Sequence, residues 1–493
     1  MARKALIIGT GLGGLATGMR LIKNGYQVEF VEKYHQSGGR LNQIKKDGFT
    51  WDMGPSFFSM SYEFDELVKY CQTTLPFEFV ELDPLYSVNF KKGGKNYLIY
   101  KDLKKLAEQF AQEEPNFEKS IHKYLNKAGE LFHDTENIVI KRNFNSIAGY
   151  LIQLSRVPWK HAPMMVRSIW DELNRNFESY EVKVILSLIA FFLGATPFDT
   201  PAVYSLLSYT ELQHDGYHNV KGGMYKIVEG VEKWLRDKGA VFSFNTEIVD
   251  YRASNGAVTS FIDNNGKSWS ADVNVVNADA AWFRGEILGH KKYAEKKLDK
   301  QKWTLGPLTI YLGIDKKIPN IHHHNYFLGE NFHDYAGKIF KNSMGLNKPY
   351  YYVNSLSKFN PSSAPEGMEN LFILCPVPDL RFKPDWSDRE EIAHNIIGDL
   401  SERLDFDIQS SVVSKTVLDP QNWQSMFNLY KGSGLGLAHD LNQIGGFRPR
   451  NIDDKYKNVF YVGASTVPGT GLPMVIISSK LVTERILKNY GTV

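Results

Sequence analysis

The feature that most constrains this chain is a glycine loop set between a strand and a helix near its start. KALIIG, beginning at residue 4, reads as a short buried strand, and Gly9-Thr10-Gly11-Leu12-Gly13-Gly14 follows it. LATGMRLIKNG then has helical spacing, with Leu15, Met19 and Ile22 on one face and Gly25 as its stop, and YQVEFVEK is a second strand. G-x-G-x-x-G in this setting predicts a βαβ unit of a parallel sheet. Gly9 allows the tight turn, Gly11 lets a pyrophosphate approach the backbone, and Gly14 lets the helix pack on the strand. The helix N-terminus adds free N–H groups and a partial positive charge. Glu32 ends the second strand, where a carboxylate accepts from ribose hydroxyls. A purely structural glycine turn is the plainer alternative, and strand, helix and acid together weigh against it. The loop implies a dinucleotide and leaves FAD and NAD open.

Later segments favour a flavin. Gly38-Gly39-Arg40 follows the second strand. Its glycines bare the backbone, and the Arg40 fork suits a pyrophosphate oxygen. Asp52-Met53-Gly54-Pro55-Ser56 comes next. Far downstream, Val462-Gly463-Ala464-Ser465 ends a strand, and Pro468-Gly469-Thr470-Gly471-Leu472-Pro473 opens the last helix. That is a second helix N-terminus available to a cofactor, for which a plain nicotinamide dehydrogenase has no need. Between these segments, residues 59–215 read as mostly helical, 221–300 as mixed α/β with a turn at Asn255-Gly256, and 303–380 as strand-rich. A helix is expected near 388–404.

Composition excludes several classes. A chain of 493 residues with 43% hydrophobic and 23% charged residues is globular, with room for two to four domains. A net charge of +3 is far from a nucleic-acid footprint. Two cysteines, Cys71 and Cys375, cannot build a disulfide framework and suit a reducing compartment. The apolar run VILSLIAFFLGA, Val184 to Ala195, is shorter than the roughly 20 residues a spanning helix needs, and the N-terminus lacks a signal-peptide pattern. The expectation is an intracellular protein without a transmembrane segment.

The chain resembles the bacterial carotenoid (phytoene) desaturase family of FAD flavoproteins. The matching stretches include GTGLGGLATGMRLIKNG, GGRLNQIKKDGFTWDMGPS, LGATPFDTPAVYSLL, KGGMYKIVEGV, FRPRN and YVGASTVPGTGLPMV, and they span nearly its whole length. The branch it looks most like is the 1'-hydroxycarotenoid 3,4-desaturases. The resemblance implies an α/β fold. A Rossmann-like FAD-binding domain would be assembled from residues 1–70, 218–300 and 430–493. An α+β substrate and membrane-associating domain, a mixed sheet plus helices, would come from 71–217 and 301–429. It implies non-covalent FAD, a carotenoid substrate, oxygen or a quinone as electron acceptor, no nucleic-acid partner, and a cytoplasmic protein attached peripherally to the inner face of the membrane. Carried over by position, Gly9, Gly11, Gly14 and Glu32 would hold the ADP half. Gly39, Arg40, Ser56 and Phe57 would lie along the pyrophosphate and flavin. Ile248 would offer backbone to the adenine, and Asn277 would lie on a strand end at the cofactor. Gly463, Gly471 and Met474 would approach the ribityl chain and ring, and Gly432 to Phe447, through Leu441, would cover the flavin. Val467 is a departure, because many members carry His there. No catalytic residue is named by the sequence.

Three further stretches have two readings each. His322-His323-His324 invites a metal, but consecutive side chains on extended backbone point to alternate faces, so a polar loop is expected instead. Residues 151–170 mix Leu, Val, Met and Trp with Arg156, Lys160, His161 and Arg167, as an interfacial segment does and as a helix with a solvated face also does. VILSLIAFFLGATPF is either a tunnel wall or ordinary core. The reaction implied is insertion of a double bond into a polyene at the expense of a flavin, first on a 1'-hydroxycarotenoid and alternatively on phytoene. A flavin amine oxidase and a non-enzymatic prenyl-binding escort protein share the fold and remain rivals.

Overall fold

The computed structural model describes residues 3–339 and 349–493. Strand β1 (Lys4–Ile8), helix α1 (Leu12–Lys23) and strand β2 (Gln27–Val31) form the expected βαβ start, with β1 and β2 parallel. Four of the five β1 residues are buried, and Leu15 and Met19 of α1 have no exposed surface. Around β1 and β2 lies a five-stranded sheet in the order Val459–Tyr461, Val273–Val276, β1, β2, Val241–Ser243, with every pairing parallel. Parallel strands need cover on both faces. On one, α1 packs against the final helix Leu472–Tyr490 and against Lys226–Asp237. On the other lies the antiparallel sheet Ile248–Ser254, Ala257–Asp263 and Ser268–Trp269. Its first turn is Asn255-Gly256, both at positive φ, as a tight hairpin requires.

A seven-stranded mixed sheet forms the second layer. Its order is Val412–Leu418, Gly306–Ile314, Glu369–Val377, Tyr351–Asn354, His324–Phe327, Tyr86–Asn89 and Asn96–Ile99. Gly306–Ile314 is paired on both sides and is almost wholly buried, so it reads as a continuous apolar run. The hairpin Tyr86–Ile99 is a correction to the helical reading of 59–215. Its strands are four residues each, too short for a period to show, and they extend the sheet edge. Val241–Ser243 and Ile248–Ser254 lie in different sheets, with the chain turning between them at Asn245, φ +52°. Residues 49–58 tie the layers together. Trp51 Nε1 donates to Leu312 O at 3.1 Å, and Tyr311 Oη donates to Met53 O at 2.6 Å. Helices between residues 103 and 214, the longest being Phe117–Thr135, close one end. Among the described residues no helix is long and apolar enough to cross a membrane.

Candidate functional site

A cavity of about 1010 Å³ runs from the carboxyl ends of the parallel strands to the face of the seven-stranded sheet. That end of a parallel sheet is where ligands bind in open α/β folds. The volume is at the top of the roughly 300–1,000 Å³ range of small-molecule sites, as two ligands in one space require.

The glycine loop forms its floor. Gly9 sits at φ +97°, and a Cβ on Gly14 would stand 2.4 Å from Gly9 O, so the helix can approach the loop only as glycine. Asn277, just past Val273–Val276, organises the rest. Its Nδ2 donates to Gly11 O at 3.1 Å and Gly9 O at 3.3 Å, while its Oδ1 lies 2.9 Å from where a Gly463 Cβ would be. One side chain thereby gathers loops more than 400 residues apart in sequence. Glu32 is oriented before any ligand arrives. Its Oε2 accepts from Thr10 N at 2.7 Å and Thr10 Oγ1 at 2.9 Å, and its Oε1 accepts from Tyr34 N at 2.8 Å. Each carboxylate oxygen has further acceptor capacity for ribose hydroxyls. Ile248 lies in the wall beside it.

Above this floor, Gly39, Arg40, Ser56 and Phe57 line the cavity. Arg40 Nη1 donates to Gly434 O at 2.8 Å, which holds the guanidinium across the space. Burial pulls Arg40 below the usual arginine range, and the same burial raises Asp279 despite Arg40 nearby. Ser56 and Phe57 are backed by the histidine run, contrary to the expected polar loop. His323 and His324 are enclosed in the wall. The Tyr352 hydroxyl lies 2.6 Å from both Ser56 Oγ and His324 Nδ1, and the Phe57 ring is 4.7 Å from the His324 ring. Asn219 Nδ2 donates both to Ser56 O and to His323 Nε2, each at 2.9 Å. Burial pushes His323 down to about 4 and His324 well below the usual range, so both are neutral. No group of three or more possible ligands for a metal ion occurs among the described residues.

Gly463, Gly471 and Met474 also line the cavity, where the final helix opens without a side-chain cap. Its first N–H groups lack intrahelical partners and face a negative ligand group well. Two residues not singled out from the sequence shape this end. Buried Arg448 donates to Thr466 O, Gln443 O, Leu437 O and Ala464 O, clamping segment 437–448 onto the loop before the helix; burial lowers it to about 10. His439 Nε2 accepts from Thr470 N at 3.4 Å, and its Nδ1 is buried without a partner. FRPRN held the signal for Arg448, since a buried arginine needs many acceptors. Leu441 does not line the cavity. It is half-buried in a short turn outside the cavity, and the segment reaches the cavity through Gly434, Leu435, His439, Ile444 and Gly445 instead. Gly14 also lies behind the surface, as its packing role requires. Val467 sits in an apolar cluster with Met60, Phe132, Ile477 and Leu481.

The other half of the cavity is apolar. Leu188 and Phe191–Gly194, from the VILSLIAFFLGATPF stretch, form one wall. The mouth is lined by Leu151, Leu154, Val157, Trp159 and Met165. A polar, glycine-built floor opening into an apolar channel fits a dinucleotide with a flavin ring at the junction: Glu32 for the ribose, glycine backbone and Arg40 for the pyrophosphate, the last helix for the ring.

The comparisons agree with this chemistry. The family described as flavin containing amine oxidoreductase matches residues 12–487. A zeta-carotene-forming phytoene desaturase of Myxococcus xanthus is 31% identical, over 98% of this chain and 94% of its own. A 1-hydroxycarotenoid 3,4-desaturase of a Flavobacterium species is 27% identical, over 98% of this chain and 99% of its own. Among solved structures, an oxidoreductase from Methanosarcina mazei shares the fold at a TM-score of 0.64 and 16% identity, over 98% of this chain and all of that one. The chain belongs to the flavin containing amine oxidoreductases, among the carotenoid (phytoene) desaturases of that family, and is an FAD-dependent oxidoreductase.

Proposed function

We propose that this enzyme desaturates an acyclic or monocyclic 1'-hydroxycarotenoid at its 3',4' bond. When bound, FAD supplies the hydride acceptor. The chain's residues bind the polyene in the apolar half of the cavity, hold the reacting bond at the junction and exclude water from it. The observation that carries the choice of substrate is His439. With Nε2 accepting from Thr470 N, the neutral ring bears its hydrogen on Nδ1, a buried donor without a partner at the cavity wall. An unmet buried donor costs about 1–3 kcal/mol, and a substrate hydroxyl offsets that once the ring turns Nδ1 toward the cavity. The 1'-hydroxyl lies close along the chain to the 3',4' bond, so a group that reads it must border the flavin junction, as Gly469–Gly471 beside His439 does.

Phytoene is the rival substrate, favoured by the greater identity to the Myxococcus relative. Amine oxidation is weaker, because the full-length relatives named above are carotenoid desaturases. The prenyl-binding escort reading has no use for Glu32 and the complete glycine loop. The test gives purified, FAD-loaded protein each carotenoid in liposomes and follows the visible absorption, which moves to the red with each added conjugated bond. Conversion of the hydroxylated substrate, with phytoene slower by up to roughly 10⁴-fold, is expected. Stepwise desaturation of phytoene with the hydroxylated carotenoid untouched overturns the choice.

The same reading has the protein in the cytoplasm, attached peripherally to the inner face of the membrane, drawing substrate through the mouth of the cavity and passing electrons to oxygen or a quinone. Supporting it is an apolar patch around that mouth: Ile152 is 60% exposed, Trp159 83% and Val166 86%, with Ile147, Leu151 and Phe447 beside them. Patches of this kind mark interaction surfaces. Arg156 stands among them, placed for a headgroup.

A further inference from the structure

Desaturation removes a hydride and a proton from neighbouring carbons, and the proton needs an acceptor within the apolar channel. Most titratable groups of the cavity are elsewhere or engaged. Glu32 and Asp279 lie at the dinucleotide end, held by Thr10 and Tyr34 and by Ser465 and the 280–282 helix. His161 pairs with Asp134 at the mouth. On the apolar side, just behind the wall and bonded to the lining residue Tyr217, stands the carboxylate of Glu211.

Glu211 is 3% exposed and lies on a single π-turn, Thr210–His214, a distortion common at functional sites. Its Oε1 accepts from Tyr86 Oη at 2.7 Å and its Oε2 from Tyr217 Oη at 3.2 Å. Besides burial, only Tyr86 and Tyr217 act on it, and no cation among the described residues does. The other titratable groups that feel its charge are also tyrosines, Tyr124 from helix Phe117–Thr135 and Tyr326 from strand His324–Phe327. Burial pushes the Glu211 carboxyl up to about 7 against the pull of its two hydrogen bonds. Tyr217 is itself part of the cavity wall, as is Thr210. The Tyr217 ring is 4.6 Å from that of Phe57 and 5.9 Å from that of Phe192, which places it in the wall that continues from the flavin junction into the channel.

We propose that Tyr217 is the catalytic proton acceptor of the desaturation and that Glu211 acts through it as a positioning residue and proton store. The proposal rests on the desaturase reading. One allylic C–H bond breaks with both electrons leaving as hydride to bound FAD, the two-electron oxidant. The neighbouring C–H bond breaks heterolytically, and its electron pair becomes the new π bond. That proton goes to Tyr217 Oη as the hydroxyl proton passes to Glu211 Oε2. Glu211 releases it between turnovers, which a carboxyl titrating near neutrality does readily. General-base assistance of this kind is worth about 10²–10⁴-fold.

The test uses holoenzyme with the converted carotenoid in liposomes, without oxygen, and follows bleaching of the flavin band between about pH 5 and about pH 9. The wild-type rate is expected to rise as Glu211 ionises, through a pH near 7, and then level off. Glu211→Gln and Tyr217→Phe, both close in shape to the originals, should slow bleaching by about 100-fold or more. Both should abolish the pH limb while flavin occupancy and carotenoid binding persist, and Glu211→Asp should restore part of the rate with a limb. A merely structural role predicts a slower enzyme with the limb intact, and that result overturns the proposal. So does either variant bleaching at the wild-type rate. Should Glu211→Gln not fold, Tyr217→Phe decides alone. Wild-type flavin that no carotenoid bleaches removes the desaturase reading first, and this proposal with it.

Discussion

At the scale of single residues, this protein spends buried charge where the two layers meet. Asp52 is 3% exposed and accepts from Met224 N at 3.1 Å and Tyr225 N at 3.4 Å, at the start of helix Lys226–Asp237. Burial outweighs those hydrogen bonds and raises its carboxyl to about 6. A folded value above the unfolded one means that Asp52 stabilises the fold fully below about pH 4. The contribution is lost as pH rises through about 6, on the order of 3 kcal/mol over the window. His323 works in the opposite sense. Its folded value near 4 lies below the unfolded one, so its cost appears as pH falls from about 6.5 toward 4. The raw pH profile therefore mixes both. Asp52→Asn isolates the acid: its denaturation midpoint, compared with wild type at about pH 4.5 and about pH 7.5, should show relative gain at the higher pH. An equal difference at both values removes the assignment.

At the scale of elements, the segment from Ile147 to Val166 carries two tasks. It lines the mouth of the cavity through Leu154, Val157 and Met165 and presents Ile152 and Val166 to solvent, with Trp159 at the rim doing both. Trp170 belongs to neither, because its ring packs against Phe198 at 5.0 Å and Phe332 at 6.3 Å. Fully burying an aliphatic or aromatic side chain is worth about 1.5–3 kcal/mol, and about 1.4 kcal/mol is tenfold in affinity. Ile152→Ser, Trp159→Ser and Val166→Ser together should lower liposome co-sedimentation by at least about tenfold, with the flavin spectrum unchanged. Lys160 is already paired with Glu130 at 2.7 Å, so wild-type binding should depend little on salt. Undiminished binding of the triple variant would return the segment to the role of a simple channel wall.

At the scale of the whole molecule, the cofactor site joins segments from both ends of the chain. Asn277 bridges the loop at 9–14 and the turn at Gly463, and Arg448 clamps segment 437–448 to the loop before the last helix. FAD binds only when these are assembled, so it stabilises the fold by mass action, by about 2.7 kcal/mol at a hundredfold excess over its Kd. Gly11→Val places a branched side chain where the pyrophosphate approaches and where Asn277 Nδ2 already stands 2.8 Å from the Cβ position. Glu32→Ala removes the ribose acceptor and also frees Thr10 N and Tyr34 N. The first variant should purify without flavin and the second should bind it about 1–3 kcal/mol more weakly, and both should melt lower by an amount that added FAD recovers only in the second. Full occupancy and unchanged affinity in both would show that another site holds the cofactor.

The βαβ start, the glycine loop and Glu32 were legible in the residues alone. Strand, turn and helix there follow from hydropathy period and backbone freedom within about thirty residues, the range over which local pattern decides structure. The Asn-Gly hairpin and the helices at 389–404 and 472–490 were readable on the same grounds. Other features appear only in three dimensions. Tyr86 and Glu211 are 125 residues apart and share one hydrogen bond. His323 and His324 look polar in sequence and are neutral wall residues once Tyr352 and Asn219 close on them. The segment around Leu441 reaches the cavity through Gly434, Leu435, His439, Ile444 and Gly445, while Leu441 sits in a short turn beside it. Burial and hydrogen-bond partners depend on which distant segments meet, and a residue's own neighbours along the chain do not encode that. Periodicity determined the elements of this protein; long-range packing decided which side chains face the cavity and in what protonation state.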